Sequence, residues 1–302
     1  MKSLDRRRFL TTSATLGVAA ASAGLTPGAW AIEPVARKGG PKFKFSLAAY
    51  SYRNLLAGKT QQLKLEDFIL DCATMGLEGT ELTSYYFPPD VTPDQLRAIK
   101  RLALSQGLDI SGTAVGNEFS LPPGEKRDAQ IAHVKHWVDN AAVLGAPVIR
   151  IFSGKVQRGQ TEAQAQRLAI EGIEECCHYA GEHGVFLALE NHGGLTTTID
   201  GIMNLVQAVQ SPWFGVNLDS GNFQSSNPYD DLARLAPYAV NVQIKVSMRP
   251  AGGPKEPADL KRLAKMLRDS GYRGYIVLEY EEAEDPRQAC PRYIEQLRAA
   301  FA

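Results

Sequence analysis

A surplus of either charge is missing from this sequence: 33 Lys+Arg stand against 33 Asp+Glu in 302 residues. That balance removes the electrostatic case for nucleic acid or an anionic membrane as the main partner. Cysteine is scarce. Cys72, Cys176, Cys177 and Cys290 show no paired spacing for zinc and fall far short of a disulfide scaffold, so they read as buried structural thiols. No segment beyond the N-terminal one is long and apolar enough to span a membrane. No glycine-rich fingerprint follows the first predicted strand, which counts against an open dinucleotide-binding sheet. What is present is ordinary globular composition, 44% hydrophobic and 22% charged. The length permits two domains, or one α/β barrel with an appendage.

Residues 1–31 read as that appendage. Lys2 and the run Arg6-Arg7-Arg8-Phe9-Leu10 form a basic region, a stretch of small apolar residues follows from Ala14 to Leu25, and Ala29-Trp30-Ala31 supplies a small-x-small cleavage pattern. The order Arg6-Arg7-x-Phe9-Leu10 resembles a bacterial twin-arginine signal, which carries folded proteins across the membrane. The expectation is cleavage after Ala31, a periplasmic or otherwise exported location, and no stable membrane insertion afterwards. The competing reading is an uncleaved basic anchor. Cleavage leaves 29 Lys+Arg and 32 Asp+Glu, a net charge of −3. Export of a folded chain would let a metalloprotein take its ion from the cytoplasm.

After a polar linker over residues 32–42, which contains Lys38-Gly39-Gly40-Pro41, one period runs from residue 43 to 302. Apolar strands centre near Phe45, Thr80, Ile110, Ile149, Leu187, Val216, Val242 and Ile276, about 33 residues apart, which is the size of a βα unit. Thr92-Pro93-Asp94-Gln95 and Thr161-Glu162-Ala163-Gln164 read as capping boxes. Gly76, Gly107, Gly145, Gly184 and Gly271 each close a helical pattern shortly before a strand. Asp285-Pro286 opens the last helix. Eight such units predict a single (β/α)8 TIM barrel.

Strand alternation then locates the chemistry. With Ile149 and Ile151, Leu187 and Leu189, Val216 and Leu218, Val242 and Ile244, and Ile276 and Leu278 facing the helices, the interior receives Arg150 and Phe152, Glu190 and His192, Asn217 and Asp219, Asn241, Gln243 and Lys245, and Glu279 and Glu281. Burying that many charges without compensation costs several kcal/mol each. A bound cation is the economical remedy. Glu190, Asp219, Gln243 and Glu279 lie near the C-terminal ends of four strands, and their oxygens are hard ligands suited to one divalent Mn²⁺ or Mg²⁺. The alternative is an interior network in which Lys245 and Arg150 neutralise the acids.

Leu189-Glu190-Asn191-His192-Gly193-Gly194, Leu218-Asp219-Ser220-Gly221-Asn222 and Val277-Leu278-Glu279-Tyr280 together resemble the xylose-isomerase-like TIM-barrel superfamily, the sugar phosphate isomerase/epimerase group. The resemblance covers roughly residues 43–302. It implies a metal held by Glu, Asp, His and Glu, and carries over Glu190, Asp219 and Glu279 directly. Two positions depart. Gln243 stands where the family usually has a metal-binding His, and Asn222 where several relatives place a His.

The chemistry so implied is proton transfer next to a carbonyl through a metal-bound enediolate, with Glu190 and Glu279 exchanging protons on opposite faces of one carbon. The resemblance thus implies a carbohydrate epimerase or isomerase. A keto-glycoside lyase using the same site is the runner-up, and a non-catalytic sugar-binding barrel the rival from another class. An exported location argues against a sugar phosphate as substrate. His192, Lys245, Arg150, Glu81 and Asn222 are candidate substrate contacts, and Tyr85-Tyr86 a candidate stacking wall. A nuclease of the endonuclease IV type would need a multi-zinc, imidazole-rich site, whereas only His192 reaches the rim. His133, His136, His178 and His183 fall on outer helices. The resemblance also implies a possible homodimer.

Overall fold

Eight aliphatic runs, separated by helices, settle where the period places them. In the computed structural model, which describes residues 32–58 and 61–302, the barrel strands are β1 (Lys42–Ala48), β2 (Gly79–Thr83), β3 (Asp109–Ala114), β4 (Val148–Ile151), β5 (Phe186–Glu190), β6 (Phe214–Asp219), β7 (Ala239–Ile244) and β10 (Arg273–Leu278). All are parallel and close in the order β1-β10-β7-β6-β5-β4-β3-β2. Each expected strand centre lies in one of them, and several are direct partners: Phe45 with Ile276, Ile276 with Val242, Thr80 with Ile110, Ile149 with Leu187. This is the (β/α)8 barrel. The expected signal over residues 1–31 lies outside the described residues, and among those described no helix is long and apolar enough to cross a membrane.

The outer ring consists of α2 (Leu65–Thr74), α3 (Pro93–Ser105), α4 (Glu125–Leu144), α5 (Glu162–Glu182), α6 (Ile199–Ala208), α7 (Pro228–Leu235), α8 (Leu260–Asp269) and α9 (Pro286–Phe301), with a single turn, α1 (Arg53–Leu56), after β1. Both capping boxes form. Thr92 Oγ1 accepts from the Gln95 amide at 3.3 Å while Gln95 Oε1 accepts from Thr92 N–H at 2.8 Å, and Thr161 with Gln164 repeats the pattern at 3.2 and 2.8 Å. Asp285 caps α9 by accepting from Arg287 N–H at 2.9 Å. At Gly145 the chain turns left-handed, φ +78°, and its N–H closes α4 on the Ala141 carbonyl at 2.8 Å. A short antiparallel ribbon, β8 (Ser247–Met248) with β9 (Glu256–Pro257), sits between β7 and α8, an insertion that the regular spacing concealed.

The helix-facing residues Ile149, Ile151, Leu187, Leu189, Val216, Leu218, Val242, Ile244, Ile276 and Leu278 are fully buried. Each stabilises the ring by about 1.5–3 kcal/mol of transfer free energy. The opposite parity faces the barrel interior. There the β6–β7 register slips at Val216/Asn217, which sets Asn217 beside Asn241 and Asp219 beside Gln243. A second slip, at Thr80/Glu81 against β3, places Glu81 beside Gly112, whose missing side chain leaves the carboxylate room. Residues 32–41 run without helix or strand and are tied to the start of β7, Val35 N–H donating to the Pro237 carbonyl at 2.9 Å and Arg37 Nη2 to the Ala239 carbonyl at 2.5 Å. All four cysteines are buried and free.

Candidate active site

The inward residues form two layers. The lower is a closed ring of four side chains from β2, β6 and β7. Asn241 Nδ2 donates to Glu81 Oε2 and to Asn217 Oδ1, both at 2.8 Å. Asn217 Nδ2 donates to Gln243 Oε1 at 2.6 Å, and Gln243 Nε2 closes the ring on Glu81 Oε1 at 2.6 Å. All four side chains are shut off from solvent. Burial pushes the Glu81 carboxyl up to about 7, against the opposing pull of the Asn241 and Gln243 donors.

The upper layer, at the C-terminal ends of the strands, is built on charge. Glu190 ends β5, with Arg150 Nε from β4 at 3.0 Å from Oε2 and Asn222 Nδ2 donating to Oε1 at 2.8 Å. Lys245, one residue past β7, places Nζ 3.1 Å from Asp219, 3.2 Å from Glu281 and 3.4 Å from Glu279, and donates to Asn222 Oδ1 at 2.9 Å. Asn222 thus bridges the two halves. Asp219 is locked from behind. Asn191 grips its backbone through two hydrogen bonds of 2.9 Å, and Gly221 N–H donates to Oδ1 at 2.8 Å. Neither Asp219 Oδ2 nor Arg150 Nε has an aligned hydrogen bond, so their partners hold them by charge. Burial raises the Glu190 and Asp219 carboxyls, opposed by Arg150 and Lys245 respectively, and pushes Glu279 up to about 7 with Lys245 opposing. Burial alone would lower Lys245, but Asp219, Glu279 and Glu281 together hold it well above its ordinary value.

Above this layer opens a cavity of about 220 Å³. Its charged wall is Arg150, Glu190, Lys245, Glu279 and Glu281; its aromatic wall is Tyr50, Tyr85 and Phe152, with His192 tilted on Phe152 at 4.7 Å between ring centroids. Arg150 lies over the Phe152 ring at 4.1 Å. A larger hollow of about 380 Å³ beside the β8–β9 ribbon has its charged pair, Lys255 and Glu282, already joined at 2.7 Å.

The barrel recurs in known proteins. The xylose isomerase-like TIM barrel family matches residues 69–300. The chain belongs to that family. It is 26% identical over 266 residues to the rhizopine catabolism protein MocC of Rhizobium meliloti, covering 75% of this chain and 77% of that one. A human protein provisionally named as a hydroxypyruvate isomerase is 25% identical over 241 residues, covering 70% and 82%. The D-psicose 3-epimerase of Clostridium cellulolyticum H10, solved with D-tagatose, superposes with a TM-score of 0.68 over 85% of this chain and 99% of that one, at 15% identity. Sugar epimerases are thus among the solved proteins that share this fold.

Within the family, this donor set does not fit a divalent ion as it is arranged. Among the described residues no group of three or more His, Cys, Asp or Glu side chains converges to hold one. The Gln243 amide oxygen already accepts from Asn217 and its nitrogen is spent on Glu81. An ammonium, itself a cation, fills the space among Asp219, Glu279 and Glu281, within 3.4 Å of each. A hard ion needs lone pairs aimed at one point.

The candidate residues divide accordingly. Glu190, Glu279, Lys245, Arg150 and His192 line the cavity, and Asn222 braces it. Asp219 is fully buried behind Lys245, while Gln243 and Glu81 lie a layer lower in the polar ring. Of the aromatic pair, Tyr85 reaches the cavity wall. Tyr50 was not anticipated; its one signal was an aromatic placed just past the end of the first strand. Glu281 faces inward, as alternation requires, but alternation gave it no role.

Proposed function

We propose that this chain moves a proton at the carbon next to the carbonyl of a small unphosphorylated sugar, interconverting epimers or aldose–ketose isomers. The observation that carries the reading is that Glu190 and Glu279, from strands three apart around the barrel, face one cavity of about 220 Å³ and are each backed by a cation. One carboxylate takes the proton from carbon. The C–H electron pair becomes the new C=C bond, and the carbonyl pair moves onto oxygen. The other carboxyl returns a proton to the opposite face of that carbon as the oxygen's pair re-forms the carbonyl, giving an epimer. Alternatively, the proton goes to the former carbonyl carbon while the hydroxyl proton of the first carbon passes to the former carbonyl oxygen and a new carbonyl forms at the first carbon, giving the isomer. A carboxyl held at about 7, as Glu279 is, exists in both forms near neutrality and can act as either acid or base.

Tyr50, Tyr85, Phe152 and His192 offer ring faces and edges to a sugar. The cavity's acids, Glu190, Glu279 and Glu281, outnumber its cations, Arg150 and Lys245, which disfavours a phosphate dianion. Export, supported by Arg6-Arg7-x-Phe9-Leu10, points to the same substrates. The test is incubation with a panel of ketoses and aldoses in D₂O, followed by NMR for carbon-bound deuterium and new isomers. Keto-glycosides in the same panel report elimination, which would convert the reading to a lyase. Sugar binding without exchange, isomerisation or elimination would refute it in favour of a binding barrel.

A further inference from the structure

Resting on that reading, we propose that Lys245 is the resident cation of this site, so that the chain needs no divalent ion. Three features argue that the ammonium belongs there. Its Nζ has four oxygen partners within 3.4 Å, from Asp219, Asn222, Glu279 and Glu281. Its stem crosses Gly221 so closely that a Cβ on that glycine would lie 2.7 Å from Lys245 Cδ, and its backbone N–H donates to Ser220 Oγ at 2.8 Å. The residue at the remaining ligand position, Gln243, is committed to the ring beneath. Arg150 on Glu190 supplies a second fixed charge at 3.0 Å. Lys245 and Arg150 together thus provide the two positive charges that a divalent ion would bring, one on Glu190 and the other shared by Asp219, Glu279 and Glu281. When the carbonyl electron pair moves onto substrate oxygen, the ammonium in the cavity wall supplies positive charge to stabilise it.

The decisive experiment follows the Mn²⁺ electron paramagnetic resonance signal during titration of full-length protein. Wild type is expected to leave the free-ion signal undiminished. Lys245→Met, which removes the ammonium and leaves the surrounding acids without it, is expected to take up one Mn²⁺ per chain, and Lys245→Arg to exclude the ion as wild type does. Stoichiometric Mn²⁺ binding by wild type overturns the proposal without any variant. A folded Lys245→Met that still excludes Mn²⁺ overturns it too, because the lysine would then not be standing in the ion's place. Deuterium exchange is measured separately in EDTA: exchange that persists supports the proposal, and exchange that appears only with Mn²⁺ overturns it. Absence of exchange under every condition refutes the isomerase reading alone, leaving the ion titration to decide the role of the lysine.

Discussion

Replacing Gln243 with Leu tests whether this residue is a structural bridge or a metal ligand. The substitution keeps most of the volume and removes both amide groups. Glu81 Oε1 then loses its donor and Asn217 Nδ2 its acceptor, in a ring shut off from solvent. Each buried group left unpaired costs about 1–3 kcal/mol, so the variant should lose about 2–6 kcal/mol. At about 2–4 °C per kcal/mol, a mid-range loss of about 4 kcal/mol lowers the melting temperature by about 8–16 °C. The pH dependence sharpens the test. In wild type Glu81 is raised from 4.5 to about 7, so the folded state holds the proton more tightly. Stability is therefore fully present below 4.5 and declines as pH rises towards about 7, by about 3 kcal/mol in all. Without the Gln243 donor the folded value climbs further and the decline continues to higher pH. The gap between variant and wild type should be narrowest in acid, where the pH-independent loss at Asn217 of about 1–3 kcal/mol remains, and widest above about pH 8. Circular dichroism melts across that range, with EDTA present, measure it. A variant melting within about 2 °C of wild type at alkaline pH refutes the bridging role. A deficit seen only when both proteins are given Mn²⁺ would instead make Gln243 a metal ligand.

Glu190→Gln and Glu279→Gln each remove one proton carrier while keeping shape, and solvent exchange into substrate should fall about 10²–10⁴-fold in either, with sugar binding retained by calorimetry. Gly221→Ala drives a Cβ to 2.7 Å from Lys245 Cδ and 3.1 Å from the Ser247 carbonyl. Overpacking there should cost about 1–3 kcal/mol, read as a lowered urea midpoint, and a neutral result would mean the lysine stem moves freely. Export should require the basic pair: with Arg6 and Arg7 both changed to Lys, precursor should accumulate in the cytoplasm of a host with twin-arginine transport, and undiminished export would refute that assignment.

Most of the barrel could be read from residues because its determinants are local. The alternation around Ile149, Leu187, Val216, Val242 and Ile276 depends only on which face a side chain takes, and a slip of one residue would turn each into the interior. The boxes at Thr92 and Thr161 act within a single helical turn. The β8–β9 ribbon escaped because two-residue strands leave no period, and its pairing is set by the path of the chain from Ser247 to Pro257. Tyr50 escaped for a related reason. It lies past the end of β1, where alternation no longer says which way a side chain turns.

The site was legible in its membership and in the alternative that set Lys245 and Arg150 against the acids. The commitment of Gln243 was not, and the difference is one of reach. Alternation placed Gln243 and Lys245 on the same inward face two residues apart, and an oxygen ligand was the natural role for the first. Yet the register slip between β6 and β7 aligns Asn217 with Asn241, so the Gln243 amide is satisfied across the strands before it can turn upward. Lys245, one residue past β7, has a long stem that carries its charge back over Gly221 into the space among Asp219, Glu279 and Glu281. Both facts depend on register and side-chain length together, which motif matching does not encode. A histidine at 243 would need a different underlayer, because imidazole cannot donate to Glu81 and accept from Asn217 while also turning a lone pair upward. The polar ring and the lysine-centred layer are therefore one adaptation: the amide that seals the lower layer is what leaves the upper layer to the ammonium.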